Sequence, residues 1–413
     1  MSQLEHPENR DFDIVVWGAT GFTGRLVVEY LAGKYPPDGE IRWAVAGRSR
    51  DKLEAVLADL HWSGKKPDVI LGDSADPASL DALAGRTRVV LTTVGPYANY
   101  GSALVEACIA NGTDYCDLCG EVQWMRKMID RHQAAAAQSG ARVVMSCGFD
   151  SIPSDLGVHC LQQHAKESFG APVSKVHLLV RAMRGGASGG TFASMLNAVI
   201  EARSDSDVAR VLAEPYALNP AGQRNGPDGS DQNGARFDKL ARVWTAPFVM
   251  ARVNTRVVRR TNALLDYTYG DDFRYSEATI TGNGIRGRLK AILGGWLLGA
   301  FVLASAFEFT RENIVRRFLP APGEGPSREQ RENGFFNLLL IGLTADGSQL
   351  RLRVKGDRDP GYGSTSKMLA ESAISLAIGD CHRDGGFWTP ASAMGDRLRA
   401  RLEAHAGLSF EFE

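Results

Sequence analysis

An excess of charge of either sign is missing. Lys and Arg number 47 against 48 Asp and Glu, a formal net charge of −1, so the chain has neither the basic footprint of a nucleic-acid binder nor an acidic surplus. Cysteine is sparse: Cys108, Cys116, Cys119, Cys147, Cys160 and Cys381 follow no pairing pattern. The opening stretch MSQLEHPENRDFD is polar and acidic rather than basic then apolar. Together these point to a reduced cytoplasmic setting without a signal peptide. Cys116 and Cys119 form one C-x-x-C, but no second pair or histidine stands at ligand spacing, so no metal is expected. The 8 histidines are scattered, and no Ser-His-Asp order or carboxylate pair emerges; hydrolase and metalloenzyme classes are disfavoured.

Long apolar runs are absent with one exception. Residues Ala291 to Phe307 run for 17 positions without a charge, with Arg286, Arg288 and Lys290 before them and Glu308, Arg311, Arg316 and Arg317 after. A spanning helix usually needs about 20 residues. Three readings stand: a helix for membrane-surface contact, a lipid tunnel or a subunit interface; an ordinary buried helix; or a true span. The basic flanks suit anionic head groups, and they equally keep a buried helix's ends soluble.

What is present in quantity is hydrophobic residue, 44% of 413, enough for two domains with a sizeable core. The chain is organised around Ile14-Val15-Val16-Trp17-Gly18-Ala19-Thr20-Gly21-Phe22-Thr23-Gly24. An apolar run ends in three glycines and a helical pattern follows, the order a phosphate-binding turn requires. Gly18 permits the tight turn, Gly21 a close backbone approach to a pyrophosphate, and Gly24 packing of helix on strand. The helix amino terminus supplies N–H groups and the positive end of its dipole, with Thr20, Phe22 and Thr23 filling the turn.

The second strand, Ile41 to Ala46, closes on Gly47-Arg48-Ser49. A carboxylate here would bind a free ribose 2′-hydroxyl; Arg48 with Ser49 suits a 2′-phosphate, favouring NADP over NAD. Arg48 is otherwise a solvated start to the next helix, with Ser49 as its N-cap. Val69 to Asp73 forms a third strand that places Asp73 near the adenine edge. Arg88 to Tyr97 forms a fourth, ending at Val94-Gly95-Pro96 beside the pyrophosphate and nicotinamide ribose. Asp114 to Leu118 and Ala141 to Cys147 complete six strands alternating with helices, the pattern of a doubly wound parallel α/β sheet.

The segments GATGFTG, AGRS, VGPY, the D-x-x-G-E of Asp117 to Glu121 and GFDSIPSDLG from Gly148 occur in this order. With them the chain resembles the saccharopine dehydrogenase-like oxidoreductase family over nearly its whole length, and its length and later blocks resemble the branch that includes bacterial trans-acting enoyl reductases. The resemblance implies a Rossmann-type NADP-binding domain over 1–155, a second α+β domain for substrate or oligomerisation over 156–360, and a carboxyl-terminal segment, 361–413, returning to the first. It also implies an apolar acyl substrate, of lipid or polyketide type and possibly carrier-bound.

In the second domain, Val173 to Arg181 reads as a strand, and Gly185 to Thr191 as a glycine-rich turn before a helix from about Phe192. That turn is either a crossover or a substrate-facing loop with Ser188 and Thr191 as donors. Ala217 to Arg236 reads as a long exposed loop; Asn254 to Arg260 is basic and β-branched, and Val257 to Asn262 equally reads as a solvated strand edge. Gly334 to Leu343 and Leu350 to Lys355 pair across Asp346-Gly347. Lys367 to Ala377 forms a helix with a Ser or Thr cap, and Gly385 to Ala391 a closing loop.

Reduction of a double bond conjugated to a thioester leaves an enolate that needs stabilising and protonating. Tyr97, Asp150, Ser151 and Tyr362 are the candidates, Tyr97 first, while Asp150 equally reads as the cap of the helix near Pro153. Two other functions compete. One is reductive C–N bond formation, as in true saccharopine dehydrogenases, for which Arg181, Arg184, Arg252 and Arg256 are the available carboxylate binders. The other is a non-catalytic protein whose NADP occupancy controls a lipid or membrane contact. A homodimer and peripheral membrane attachment through 291–307 are the remaining expectations about partners.

Overall fold

The structure, a computed structural model, describes residues 10–62, 64–186, 189–313, 317 and 324–413. In chain order the first elements are β1 (Phe12–Trp17), α1 (Phe22–Lys34), β2 (Trp43–Gly47), α2 (Arg50–Ala58), β3 (Asp68–Leu71), α3 (Pro77–Ala84) and β4 (Thr87–Thr92). There follow α4 (Tyr97–Tyr100), α5 (Ser102–Ala110), β5 (Asp114–Cys116), α6 (Val122–Ser139), β6 (Arg142–Val144), α7 (Ile152–Phe169) and β7 (Lys175–Arg184). The middle of the chain holds α8 (Gly189–Ser204), α9 (Ser206–Ala213), β8 (Arg236–Asp238), β9 (Val243–Pro247), α10 (Ala251–Leu264), β10 (Arg274–Gly282) and α11 (Gly284–Ala306). The last part holds α12 (Glu308–Asn313), α13 (Arg328–Glu332), β11 (Phe335–Leu343), β12 (Gln349–Gly356), α14 (Thr365–Ala377), β13 (Gly386–Trp388), α15 (Pro390–Ala393), α16 (Gly395–His405) and β14 (Leu408–Phe412).

The chain divides into two compact units. The first comprises residues 1–120, 127–149 and 361–406, the second 121–126, 150–360 and 407–413. The first unit is built on one sheet of order β13-β6-β5-β4-β1-β2-β3, parallel throughout. β1 and β2 are buried along their whole length, as expected of strands covered on both faces. Gly385 to Ala391, expected as a loop, contains β13, which adds a seventh strand beside β6. Three residues of strand flanked by glycines carry too little periodicity to be read from sequence.

The second unit carries a mixed sheet, β14-β12-β11-β7-β10-β9-β8, whose β7–β10 pair is parallel and whose other pairs are antiparallel. The β11–β12 hairpin turns as expected at Asp346-Gly347, with Gly347 at φ 91°. The end of the chain is shared: residues 361–406 lie in the first unit, while β14 pairs with β12 in the second.

Val257 to Asn262 is not a solvated strand edge. It lies inside α10, where Asn254 through Ala263 are all buried. Its arginines, and Arg256 just before it, are covered because each has partners. Arg256 pairs with Asp231, and Arg259 Nε meets Asp228 at 2.8 Å while its Nη1 donates to Pro215 O at 2.8 Å. Arg260 donates to Leu218 O. These partners lie in or beside the stretch 217–236, which is irregular but not simply exposed: Ala217, Leu218 and Asn219 are fully buried. Paired charge thus overrides the polarity that suggested a surface position. The helix after Pro360 begins at Thr365 with Ser364 at its N-cap, but no side chain makes the expected cap bond.

In the first unit, Glu371 of α14 is fully buried. It accepts from Tyr30 at 2.6 Å, Tyr35 at 2.7 Å and Arg401 Nε at 3.0 Å, joining α1, α14 and α16. Removing one partner of a buried charged cluster leaves the others unsatisfied. Glu371→Ala is therefore expected to lower the unfolding free energy by about 3 kcal/mol, read by urea denaturation; a change under about 0.5 kcal/mol would contradict this role.

Candidate active site

At the carboxyl edge of the first sheet, β1 lies between β4 and β2. Successive connections leave β1 in opposite directions there, opening the crevice where dinucleotides bind. Gly18 turns the chain at φ 86°. A Cβ on Gly18 would lie 2.5 Å from Val94 Cγ2, and one on Gly24 would lie 2.1 Å from Gly18 O. Bare backbone is therefore required at both places. A Cβ on Gly21 would meet only Gly18 O, at 3.3 Å, so its outer side is open.

Gly21 is the N-cap of α1, where no side chain caps the helix and no acidic residue stands in the first turn. The first-turn N–H groups are left for an external anion. Thr20, Phe22 and Thr23 complete the turn, half-buried, with Thr20 O held by Arg25 Nε at 3.1 Å. This cradle fits a pyrophosphate.

Gly47 ends β2, and Arg48 beyond it is exposed, with no ion-pair partner among the described residues. Ser49 takes up the N-cap role, accepting from Lys52 N at 3.4 Å. Asp73 is half-buried after β3 and accepts from Ala75 N at 3.0 Å, shaping its own turn. Val94, Gly95 and Pro96 follow β4, and Val94 lies against the Gly18 turn.

The four catalytic candidates are placed differently from one another. Tyr97 is buried, and its hydroxyl donates to Thr92 O at 3.3 Å and accepts from Leu118 N at 3.4 Å, a position that ties the ends of β4 and β5 together. Tyr362 is also buried in the first unit, its ring edge-on to Phe22 at 5.1 Å, against the phosphate-binding turn. Nearby in sequence, Thr365 Oγ1 accepts from Phe149 N at 2.9 Å. Asp150 and Ser151 belong to the second unit. Ser151, not Asp150, is the N-cap of α7, and it makes no cap bond; its hydroxyl donates to Asn254 Oδ1 at 3.2 Å. Ser188 lies outside the described residues, as does the side chain of Thr191, whose backbone is in α8.

Two groups were not singled out from sequence. Asp117, part of the D-x-x-G-E segment, is fully buried. It accepts from Cys119 N and Ser146 N at 2.9 Å each and from Tyr115 OH at 2.9 Å. Ser146, at φ 63°, is thereby held in a backbone conformation unusual for a side-chain-bearing residue. The second group is Glu277 on β10, buried, accepting from Tyr275 OH at 2.6 Å and Asn254 Nδ2 at 3.0 Å. Asn254 thus links Ser151 to Glu277. Burial pushes Glu277 up to about 7 despite hydrogen bonds from Tyr275, Ser154 and Asn254. No spacing rule joins Ser151, Asn254 and Glu277; only the tertiary fold does. Cys116 and Cys119 are buried thiols with no disulfide between them, and burial pushes the Cys116 thiol well up, so Cys116 lacks the thiolate character of a redox cysteine.

Sheet order, glycine cradle and exposed Arg48 define a dinucleotide-binding oxidoreductase. Residues 14–144 match the family of saccharopine dehydrogenase NADP-binding domains. A Mycobacterium tuberculosis protein provisionally named a trans-acting enoyl reductase is 44% identical, the match covering 97% of each chain. A Mycobacterium bovis protein named trans-acting enoyl reductase is 39% identical over 96% of each. The chain belongs to the saccharopine dehydrogenase-like oxidoreductases, in the branch of the trans-acting enoyl reductases. It is an NADP-dependent oxidoreductase. Its fold is also similar to that of saccharopine dehydrogenase (L-Glu forming) from Saccharomyces cerevisiae, at a TM-score of 0.54 and 14% identity over 97% of this chain and 99% of that one.

Two outcomes are expected. Arg48→Glu removes a charge-assisted contact and sets a carboxylate against the 2′-phosphate, so NADPH binding, followed by fluorescence titration, weakens by about tenfold to a hundredfold while NADH binding is spared; equal loss of both would refute the assignment. For Glu277, a pKa raised from 4.5 to about 7 means that the folded protein keeps a proton the unfolded chain releases. Stability should fall as pH rises from about 4.5 to 7. Relative to Glu277→Gln, the wild-type unfolding free energy should drop by roughly 3 kcal/mol across that window. Parallel pH profiles for the two proteins would show that Glu277 is not the group responsible.

Proposed function

We propose that the protein reduces the carbon–carbon double bond of an enoyl thioester on an apolar, lipid or polyketide-type acyl chain, with NADPH as reductant. The observation carrying this reading is similarity along the whole chain, in both units, to relatives named trans-acting enoyl reductases. When bound, NADPH supplies the hydride, and the protein's task is orientation and electrostatics. Gly18, Gly21 and the amino terminus of α1 hold the pyrophosphate, Arg48 the 2′-phosphate, and Val94-Gly95-Pro96 the wall beside the nicotinamide ribose. Tyr362, packed on Phe22, keeps that turn closed. The proton for the α-carbon and the donor to the enolate oxygen come from the set Tyr362, Asp150 and Ser151, since Tyr97 has its hydroxyl engaged with the backbone on both sides.

Reductive C–N bond formation is less well supported. It requires arginines for substrate carboxylates, and Arg181 is taken by Glu413 at 2.6 and 2.9 Å while Arg256 is taken by Asp231. The acyl chain arrives on a carrier, the enzyme working in the cytoplasm as a homodimer.

Purified protein given NADPH and a long-chain enoyl thioester should oxidise the cofactor and yield the saturated thioester, seen by absorbance and mass spectrometry. NADPH oxidation with 2-oxoglutarate and lysine, and none with the thioester, would overturn the proposal.

A further inference from the structure

Helix α11 has its side chains arranged against the usual order of a soluble protein. Four of its small residues, Gly287, Ala291, Gly294 and Gly295, face the protein, while Gly299 and Ala300 are exposed. Gly287 lies against Gly282, where a Cβ would come 2.3 Å from the carbonyl oxygen; Gly294 lies against Ala246; Gly295 lies against Gly234 and Pro247. Ala291 is fully buried on the same side. The large apolar residues point the other way. Ile285, Leu289, Leu293, Trp296, Leu297 and Leu303 are between 59% and 78% exposed, and they recur at helical spacing along one stripe. Phe309, 75% exposed, extends the stripe past the end of α11. A groove of about 490 Å³ runs beside it, between α11 and residues 233–235. Monomeric soluble proteins rarely leave so large a contiguous apolar face in water.

Charge narrows what covers it. From Ala278 to Phe307 the chain holds Arg286, Arg288 and Lys290 and no acid. All three are exposed; Arg288 lies over the Trp244 ring at 5.4 Å, while Arg286 and Lys290 have no ion-pair partner among the described residues. They stand in the first two turns of α11, at the positive end of its dipole, where cations weaken a helix. An external anionic layer converts that cost into attraction. A second copy packed through the same face would set cations against cations, since that face holds no acid from Ala278 to Phe307. A bilayer surface offers both chemistries at once: anionic head groups for the cations and an acyl layer for the stripe, with Trp296 suited to the boundary.

We propose that α11 is a membrane-surface anchor that lies in the head-group region of an anionic bilayer. It lies on the membrane and does not cross it, because a spanning helix needs apolar contact around it and the glycine face of α11 is held by β9 and the 233–234 turn. This inference is independent of which reaction the enzyme carries out.

The test is flotation of the full-length protein with phosphatidylcholine vesicles and with vesicles of phosphatidylcholine mixed with phosphatidylglycerol. Binding to the mixed vesicles is expected, falling as salt rises. The double variant Arg286→Glu, Lys290→Glu should lower the partition by at least about tenfold, and Leu293→Glu, Trp296→Glu should abolish it. Unchanged NADPH affinity and thermal midpoint serve as the folding controls for each variant. No flotation, equal partition on both vesicle types, or equal partition of wild type and the charge variant would overturn the proposal. So would light scattering that shows a dimer which Trp296→Glu converts to monomer without any vesicle binding, an outcome that assigns the face to a second copy.

Discussion

The first unit depends on one close approach. A Cβ on Gly24 would sit 2.1 Å from the carbonyl oxygen of Gly18, so helix α1 reaches the end of β1 only because position 24 has no side chain. That contact fixes where the helix starts, and the start fixes where uncapped N–H groups point. Gly18, pressed on Val94, then sets the distance between the ends of β1 and β4, which is the width of the crevice. Cofactor binding in this fold is thus a consequence of backbone packing first.

The loops at the carboxyl edge are held by buried acids. Asp117 collects three donors from Tyr115, Cys119 and Ser146, and at the opposite, amino edge Asp114, first residue of β5, binds Arg142, first residue of β6, through Nε at 3.0 Å while Arg142 Nη1 reaches Cys381 O at 2.7 Å. A buried charge is tolerated only when its lone pairs are filled. Each acid therefore specifies one arrangement of the segments around it. In the second unit the signs are reversed: Arg256, Arg259 and Arg260 on α10 organise an irregular stretch through Asp228, Asp231 and backbone carbonyls. That stretch has no regular structure of its own, and the arginines replace the hydrogen bonds a sheet or helix would have provided.

These differences explain which parts were legible in the sequence. The parallel sheet was readable because strands buried on both faces are continuous apolar runs, and the glycine turn because its three positions answer to three separate steric demands. Helix α10 was misread since its burial depends on partners some 25 to 31 residues away, and local polarity carries no record of them. The short β13 was missed for a similar reason: three residues become a strand only because β6 lies ready to pair with them. The proposed cofactor residues of the first unit follow from a local motif, and a grouping in the second unit does not. Ser151, Asn254 and Glu277 meet across separations of 103 and 23 residues, which only the fold can bring about.

Helix α11 shows the remaining limit of hydropathy. Its composition says that it avoids water, not on which side. Direction is decided by size: glycines allow the helix to sit close on Ala246 and Pro247 of β9, gaining dispersion contacts, and the bulky residues are then forced outward. In a soluble helix the reverse order is favoured, because large side chains gain most from burial. A helix that gives its protein-facing side to glycine and its outer side to leucine and tryptophan leaves its largest hydrophobic gain unrealised until an apolar phase meets that outer face. The three cations before the apolar run have the same property, since the dipole end they occupy disfavours them in isolation. Both features gain from one kind of surface, apolar beneath and anionic above.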